Sequence, residues 1–167
     1  MTKNESRLPA SFRDPSGFLF QRDGILYRQV NQVYRADYER LISSGLYESL
    51  ISAGSMIPHE EVKIQPPEPK ITFTVLRPEI IPFISYPYEW SFSQLRDAAL
   101  ATLDIQQQAL KFGLCLKDAS AYNLQFFKGK PVLIDTLSFE EYKPGLPWAA
   151  YRQFCQHFLA PLALMAL

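Results

Sequence analysis

The chain has 167 residues, and 17 Lys plus Arg balance 17 Asp plus Glu to give a formal net charge of zero. An apolar fraction of 47% and a charged fraction of 20% exclude a disordered chain, and the charge balance lacks the basic surplus of a nucleic-acid binder. Seven Gly against thirteen Pro, with no two Gly closer than Gly17 and Gly24, exclude both the G-x-G-x-x-G dinucleotide fingerprint and the G-x-x-x-x-G-K-[ST] phosphate loop.

Residues 1–16 read as a flexible arm, polar and without either period. From Gly17 two short aromatic and β-branched runs, Gly17 to Gln21 and Ile25 to Val30, flank Asp23-Gly24, a strong hairpin turn. Tyr34, Tyr38, Leu41, Ile42, Leu46, Leu50 and Ile51 then recur at helical spacing, with Gly45 as a candidate break and Gly54 as a stop. Pro58, Pro66, Pro67 and Pro69 mark residues 55–70 as a loop. Alternation predicts a strand over residues 71–76 and another over 80–86, the latter at an edge because of Pro82. Ser91 or Ser93 can cap a long helix reaching about Phe112, with Leu95, Ala98, Ala99, Thr102, Leu103, Ala109 and Leu110 as its buried stripe and Gly113 as its stop. Leu114 to Leu116, a loop, a second hairpin over 124–135 around Lys128-Gly129, a loop over 136–147 and a last apolar helix from Trp148 complete the order. This is an α+β arrangement with antiparallel pairing, not alternating βαβ units.

Cys115 and Cys155 lack C-x-x-C spacing, and His59 and His157 are the two histidines, so no Cys/His zinc set is expected. No apolar run is long enough for a membrane span, and the first thirteen residues are unlike a signal peptide. The expectation is a cytoplasmic protein, with neither a membrane nor a nucleic acid as its partner.

The chemistry-bearing stretch is Leu116 to Asp135. Asp118 is followed five residues later by Asn123, then by a tight hairpin that ends on Asp135. A D-x-x-x-x-N spacing with a later Asp suits phosphoryl transfer. One carboxylate meets the attacking hydroxyl, and an amide and a carboxylate hold Mg²⁺ with hard oxygen ligands. With the long helix before it, this stretch resembles the protein-kinase-like superfamily, aminoglycoside phosphotransferases included. The resemblance covers residues 17–167, with 17–90 small-lobe-like and 91–167 a partial large lobe. It implies a shortened or truncated kinase-like fold that continues past Leu167 in a longer chain.

That resemblance makes Asp118 the catalytic base and Asn123 and Asp135 the metal ligands. Arg28 stands in for the phosphate-binding Lys, with Glu39 or Glu48 as its ion-pair partner. ATP and Mg²⁺ are the implied cofactors, bound between the 17–30 hairpin and the 118–135 loop, with the aromatic run Phe83, Tyr86, Tyr88, Trp90 and Phe92 near the adenine. The departures are the missing Gly-rich phosphate cover, Leu116-Lys117-Asp118 in place of His-Arg-Asp, and Asp135-Thr136-Leu137 in place of Asp-Phe-Gly.

Ser11 to Gly17, Tyr27 to Val30 and Leu133 to Glu140 also resemble the N-terminal region of bacterial nodulation-protein-like, class I S-adenosylmethionine (SAM)-dependent methyltransferases. In those chains the SAM-binding domain lies downstream. Three readings follow: the N-terminal domain of such a transferase with a Mg-nucleotide site, an active small-molecule phosphotransferase, or a non-catalytic pseudokinase-type scaffold. A small-molecule or nucleotide ligand and a downstream domain of the same chain are the expected partners.

Overall fold

The computed structural model describes residues 5–8 and 14–167. The chain divides into two units, residues 1–39 with 58–80 and residues 40–57 with 81–167.

The first unit is an antiparallel sheet in the order β1-β2-β3-β5-β4. Its centre is the hairpin of β2 (Gly17–Arg22) and β3 (Ile25–Asn31). Asp23 and Gly24 both take positive φ, 51° and 81°, so the turn twists with the strands it joins. Phe18, Phe20, Tyr27 and Val75 form the buried cluster of this unit. β5 (Thr72–Pro78) pairs with β3 as its alternation predicts. Two strands have no sequence signal. β1 (Glu5–Arg7) lies inside the segment read as an arm and pairs with β2; residues 1–4 and 9–13 of that arm lie outside the described residues. β4 (His59–Glu61) lies inside the Pro-rich segment read as a loop and pairs with β5. Both are three-residue edge strands, too short to show a period of two.

The helical pattern of residues 34–53 becomes two helices, α1 (Arg35–Ser43) and α2 (Leu46–Ser52). Gly45, at φ 85°, separates them, a conformation a Cβ would strain.

The second unit is built on α3 (Phe92–Lys111). Ser91 caps it: its hydroxyl accepts the Gln94 N–H, and Gln94 Oε1 accepts the Ser91 N–H. Ile105 joins the buried stripe, whereas Leu110 is exposed, a change from the predicted face. β6 (Leu114–Leu116) pairs with β9 (Phe139–Glu141), and β7 (Leu124–Phe127) with β8 (Lys130–Leu133). β9 falls where the sequence reads as loop. One core gathers Leu41, Leu46, Leu50, Ile105, Leu114 and Phe139; another gathers Trp90, Leu95, Ala98, Leu124, Phe154 and Phe158. The last helix runs through α4 (Tyr151–Phe154), a π-type turn at Cys155–Leu159 and α5 (Ala160–Met165).

The strand expected over residues 80–86 does not form. Pro82 has no N–H for a ladder. The Ser85 N–H instead donates to Gln125 Oε1, and Gln125 Nε2 donates back to the Ser85 carbonyl, both at 2.9 Å. A buried side-chain amide thus takes the place of a neighbouring strand. Trp90 Nε1 donates to Ser85 Oγ at 2.9 Å and completes the anchor. Of the aromatic run, Trp90 is buried, while Phe83, Tyr86, Tyr88 and Phe92 are exposed.

Candidate functional site

Two ladders assemble the 118–138 region. The β6–β9 ladder is extended by Lys117 N–H to the Ser138 carbonyl, 2.8 Å, and the β7–β8 ladder by Ile134 N–H to the Asn123 carbonyl, 2.8 Å. Each extra bond brings a loop end against the other loop. The side chains then meet: Asn123 Nδ2 donates to Ser138 Oγ at 3.1 Å, and Ser138 Oγ donates to Asp135 Oδ2 at 2.6 Å. The short second bond is what an ionised acceptor gives. Asp135 Oδ1 also accepts the Leu137 N–H at 3.3 Å. Asn123 and Asp135, twelve positions apart in the chain, are therefore joined through one fully buried hydroxyl.

Asp118 is half-buried at the start of the loop, where its Oδ1 accepts the Ser120 N–H at 2.9 Å. This is a local turn made by a short acidic side chain. Its other oxygen has no partner among the described residues.

The last helix holds the same loop. Gln153 Oε1 accepts the Ala119 N–H at 2.7 Å. His157, four residues on, takes the Ala121 N–H at Nδ1, 3.3 Å, with Ser120 Oγ 3.2 Å from the same nitrogen. An N–H donor facing Nδ1 fixes the neutral ring's proton on Nε2. Trp148 Nε1 donates to the Leu116 carbonyl at 2.6 Å, and Gln106 Oε1 accepts the Leu116 N–H at 2.7 Å. The backbone around Asp118 is thus satisfied from two helices, as buried polar groups require.

Of the remaining expected residues, Arg28 and Glu39 fall in the first unit and Glu48 in the second. Arg28 is a half-buried residue of β3 in the first unit. Glu39, also in that unit, forms an exposed ion pair with Arg35 at 2.8 Å, one helical turn away, rather than with Arg28. Glu48 sits exposed in the first turn of α2, where the helix dipole favours a carboxylate. Sequence reasoning missed Ser138, Gln153 and His157 as partners of the loop. A polar pair at i, i+4 flanked by the apolar Phe154 and Phe158 is a usable signal for the last two. Ser138 offered none.

Among the described residues no group of three His, Cys, Asp or Glu gathers as a metal site. Asn123 and Asp135 supply two oxygen-bearing side chains in one hydrogen-bonded cluster. Among the same residues no helix is long and apolar enough to cross a membrane.

The first unit contains a second polar cluster. The Tyr38 hydroxyl donates to Glu61 Oε1 at 2.9 Å and lies 3.1 Å from His59 Nε2, and Thr74 Oγ1 donates to Glu61 Oε2 at 3.1 Å. Tyr38 has one proton and gives it to Glu61, so His59 Nε2 is the protonated nitrogen. Burial lowers the His59 pKa from 6.5 to about 4, against the pull of Glu61 and with a smaller push from Arg28.

No family model matches the chain. It is 35% identical over 168 residues to Nodulation protein NoeA of Rhizobium meliloti (strain 1021), a match that takes in 96% of this chain. The chain spans about a third, 34%, of the length of that relative. The match supports a bacterial, nodulation-protein-like relationship. Neither comparison supports a kinase-like one.

Proposed function

We propose that this chain is an N-terminal, kinase-like domain of a longer bacterial transferase, a SAM-dependent methyltransferase, in which it recognises and positions the methyl acceptor. The observation that carries this reading is the match of nearly the whole chain to one third of a longer relative. The absence of any Gly-rich cofactor turn in these 167 residues agrees with SAM being held elsewhere in such a protein. The kinase-like part is supported by the order of elements: α3, β6, the Asp118 to Asn123 loop, the β7–β8 hairpin, Asp135 and then β9 paired back onto β6. Fold resemblance of this kind does not by itself carry an activity.

The test is a calorimetric titration with SAM. Heat is expected from the longer protein and none from this chain alone. SAM binding by this chain, or a coding region that stops at Leu167, overturns the reading.

A second reading is favoured by one observation, the meeting of Asn123 and Asp135 at Ser138 Oγ. On this reading Asn123 and Asp135 hold Mg²⁺ with ATP, and Asp118 deprotonates a hydroxyl acceptor. Mg²⁺, when bound, would neutralise phosphate charge. The two side chains are already engaged with Ser138, so metal binding would have to displace or share those bonds. Titration with ATP and Mg²⁺ gives heat on this reading. Its absence at millimolar ligand removes the nucleotide and leaves a scaffold, and binding that survives Asp135→Ala removes the metal assignment.

A further inference from the structure

Beside the loop held by His157, the second unit has an open cleft of about 370 Å³ lined by Pro87, Tyr88, Leu95, Tyr122, His157 and Pro161 among others. That volume falls in the range of about 300–1,000 Å³ usual for small-molecule sites. Its walls are prolines, a leucine and aromatic rings, and no Lys, Arg, Asp or Glu is among its lining residues. A charged or phosphorylated ligand would find no counter-charge there. A neutral one would.

The aromatic groups are held in place. The Tyr88 ring lies parallel to that of Tyr86, with centroids 5.4 Å apart and planes 3° apart. Tyr88 nevertheless keeps 74% exposure, so one stacking face is supported and the side chain remains open to a ligand. Tyr122 meets His157 edge-on, at 6.2 Å and 79°. His157 is fixed through Nδ1 by Ala121 and Ser120, which leaves Nε2–H without a partner among the described residues. The π-type turn Cys155–Leu159 carries this histidine, and such turns are frequent at functional positions.

The lining residues with polar side-chain groups are Tyr88, Tyr122 and His157. Both phenols can donate and accept. A phenol is neutral near pH 7 at its ordinary pKa, and desolvation first, then Glu89, Tyr86 and Tyr122, shift that of Tyr88 upward. An apolar, aromatic lining that includes two phenols able to donate and accept and one imidazole N–H donor complements a pyranose. Such a ring has a C–H face that packs on an aromatic and hydroxyls around its edge that donate and accept. A nucleobase offers a flat face too, but its edge has fixed donors and acceptors, and its phosphates would be uncompensated in this cleft.

We infer that the cleft between Tyr88, Tyr122 and His157 is a binding site for a neutral pyranose ring of a saccharide. This deepens the acceptor-positioning reading, on which it rests for its place in the reaction, by naming the chemistry of the acceptor. The binding itself is measured separately.

The experiment is ligand-observed saturation-transfer NMR on the 167-residue chain, with maltotriose and cellotriose as probes and adenosine as the competing ring chemistry. Transfer to the pyranose C–H protons is expected, with adenosine giving none. Tyr88→Ala, an exposed position, should weaken binding about tenfold by removing the stacking surface. His157→Asn keeps an acceptor at the Nδ1 position for the Ala121 N–H but removes Nε2–H, and should weaken binding about fivefold with an unchanged circular dichroism spectrum. No transfer to either saccharide at about 50 mM, transfer to adenosine in their place, or affinity indifferent to Tyr88→Ala each overturns the site. Any of these leaves the SAM titration above untouched, so the failure of this site and the failure of the accessory-domain reading are distinguishable.

Discussion

The two histidines of this chain sit in opposite situations. His59 is packed in the sheet unit, its Nε2–H spent on Tyr38 and its ring desolvated until its pKa drops to about 4. His157 stands on a helix at the rim of an open cleft, its Nδ1 engaged by the loop and its Nε2–H directed to no described protein group. The residue type is the same, and the surroundings assign the work. Burial turns one into a neutral structural donor, while the backbone bond at Nδ1 leaves the other with Nε2–H as a donor that no described residue takes up.

The largest break in this comparison comes from pH. In the unfolded chain His59 protonates near 6.5, and in the folded chain it stays neutral down to about 4. Between those values the unfolded state binds the extra proton. The stabilisation is fully present above pH 6.5 and is lost as pH falls to about 4, by roughly 2–3 kcal/mol. Urea unfolding at pH 7 and at pH 4.5 measures it, and His59→Gln should flatten the difference. An equal pH slope in the variant would show that His59 carries none of it.

A smaller effect is expected where the loop cluster is cut. Ser138→Ala removes the acceptor of Asn123 Nδ2 and one donor to Asp135 Oδ2, at a cost of about 1–3 kcal/mol. The wild-type and variant urea midpoints read this directly. A change below about 0.3 kcal/mol would mean that water replaces the hydroxyl without loss. Smallest is Tyr88→Ala, whose exposed ring should leave stability within about 0.5 kcal/mol. Thermal unfolding checks that the same substitution acts on the cleft and not on the fold.

Much of the scaffold was legible because its signals are local. Asp23-Gly24 and Lys128-Gly129 announced their hairpins, and both pairs adopt the positive φ that such turns need. Ser91 with Gln94 announced the start of α3, and Gly45 the break between α1 and α2. β4 and β9 were not legible, since three residues cannot show a period and their stability comes from partners far along the chain. The strand expected at 80–86 failed for the opposite reason. Its residues fit a strand, but Gln125, forty residues on, satisfies the backbone of Ser85 instead.

The candidate site divides along the same line. The spacing of Asp118, Asn123 and Asp135 was readable, as was a loop between a long helix and a hairpin. That Ser138 joins Asn123 to Asp135, that Glu39 turns to Arg35, and that His157 clamps the Asp118 loop were not. By itself the sequence determined turns, caps and helical faces, because those depend on neighbours three or four residues away. Only the tertiary structure decided which polar groups are spent on each other and which remain for a ligand, because a hydrogen bond inside a core is chosen by whichever donor and acceptor the packing brings within about 3 Å.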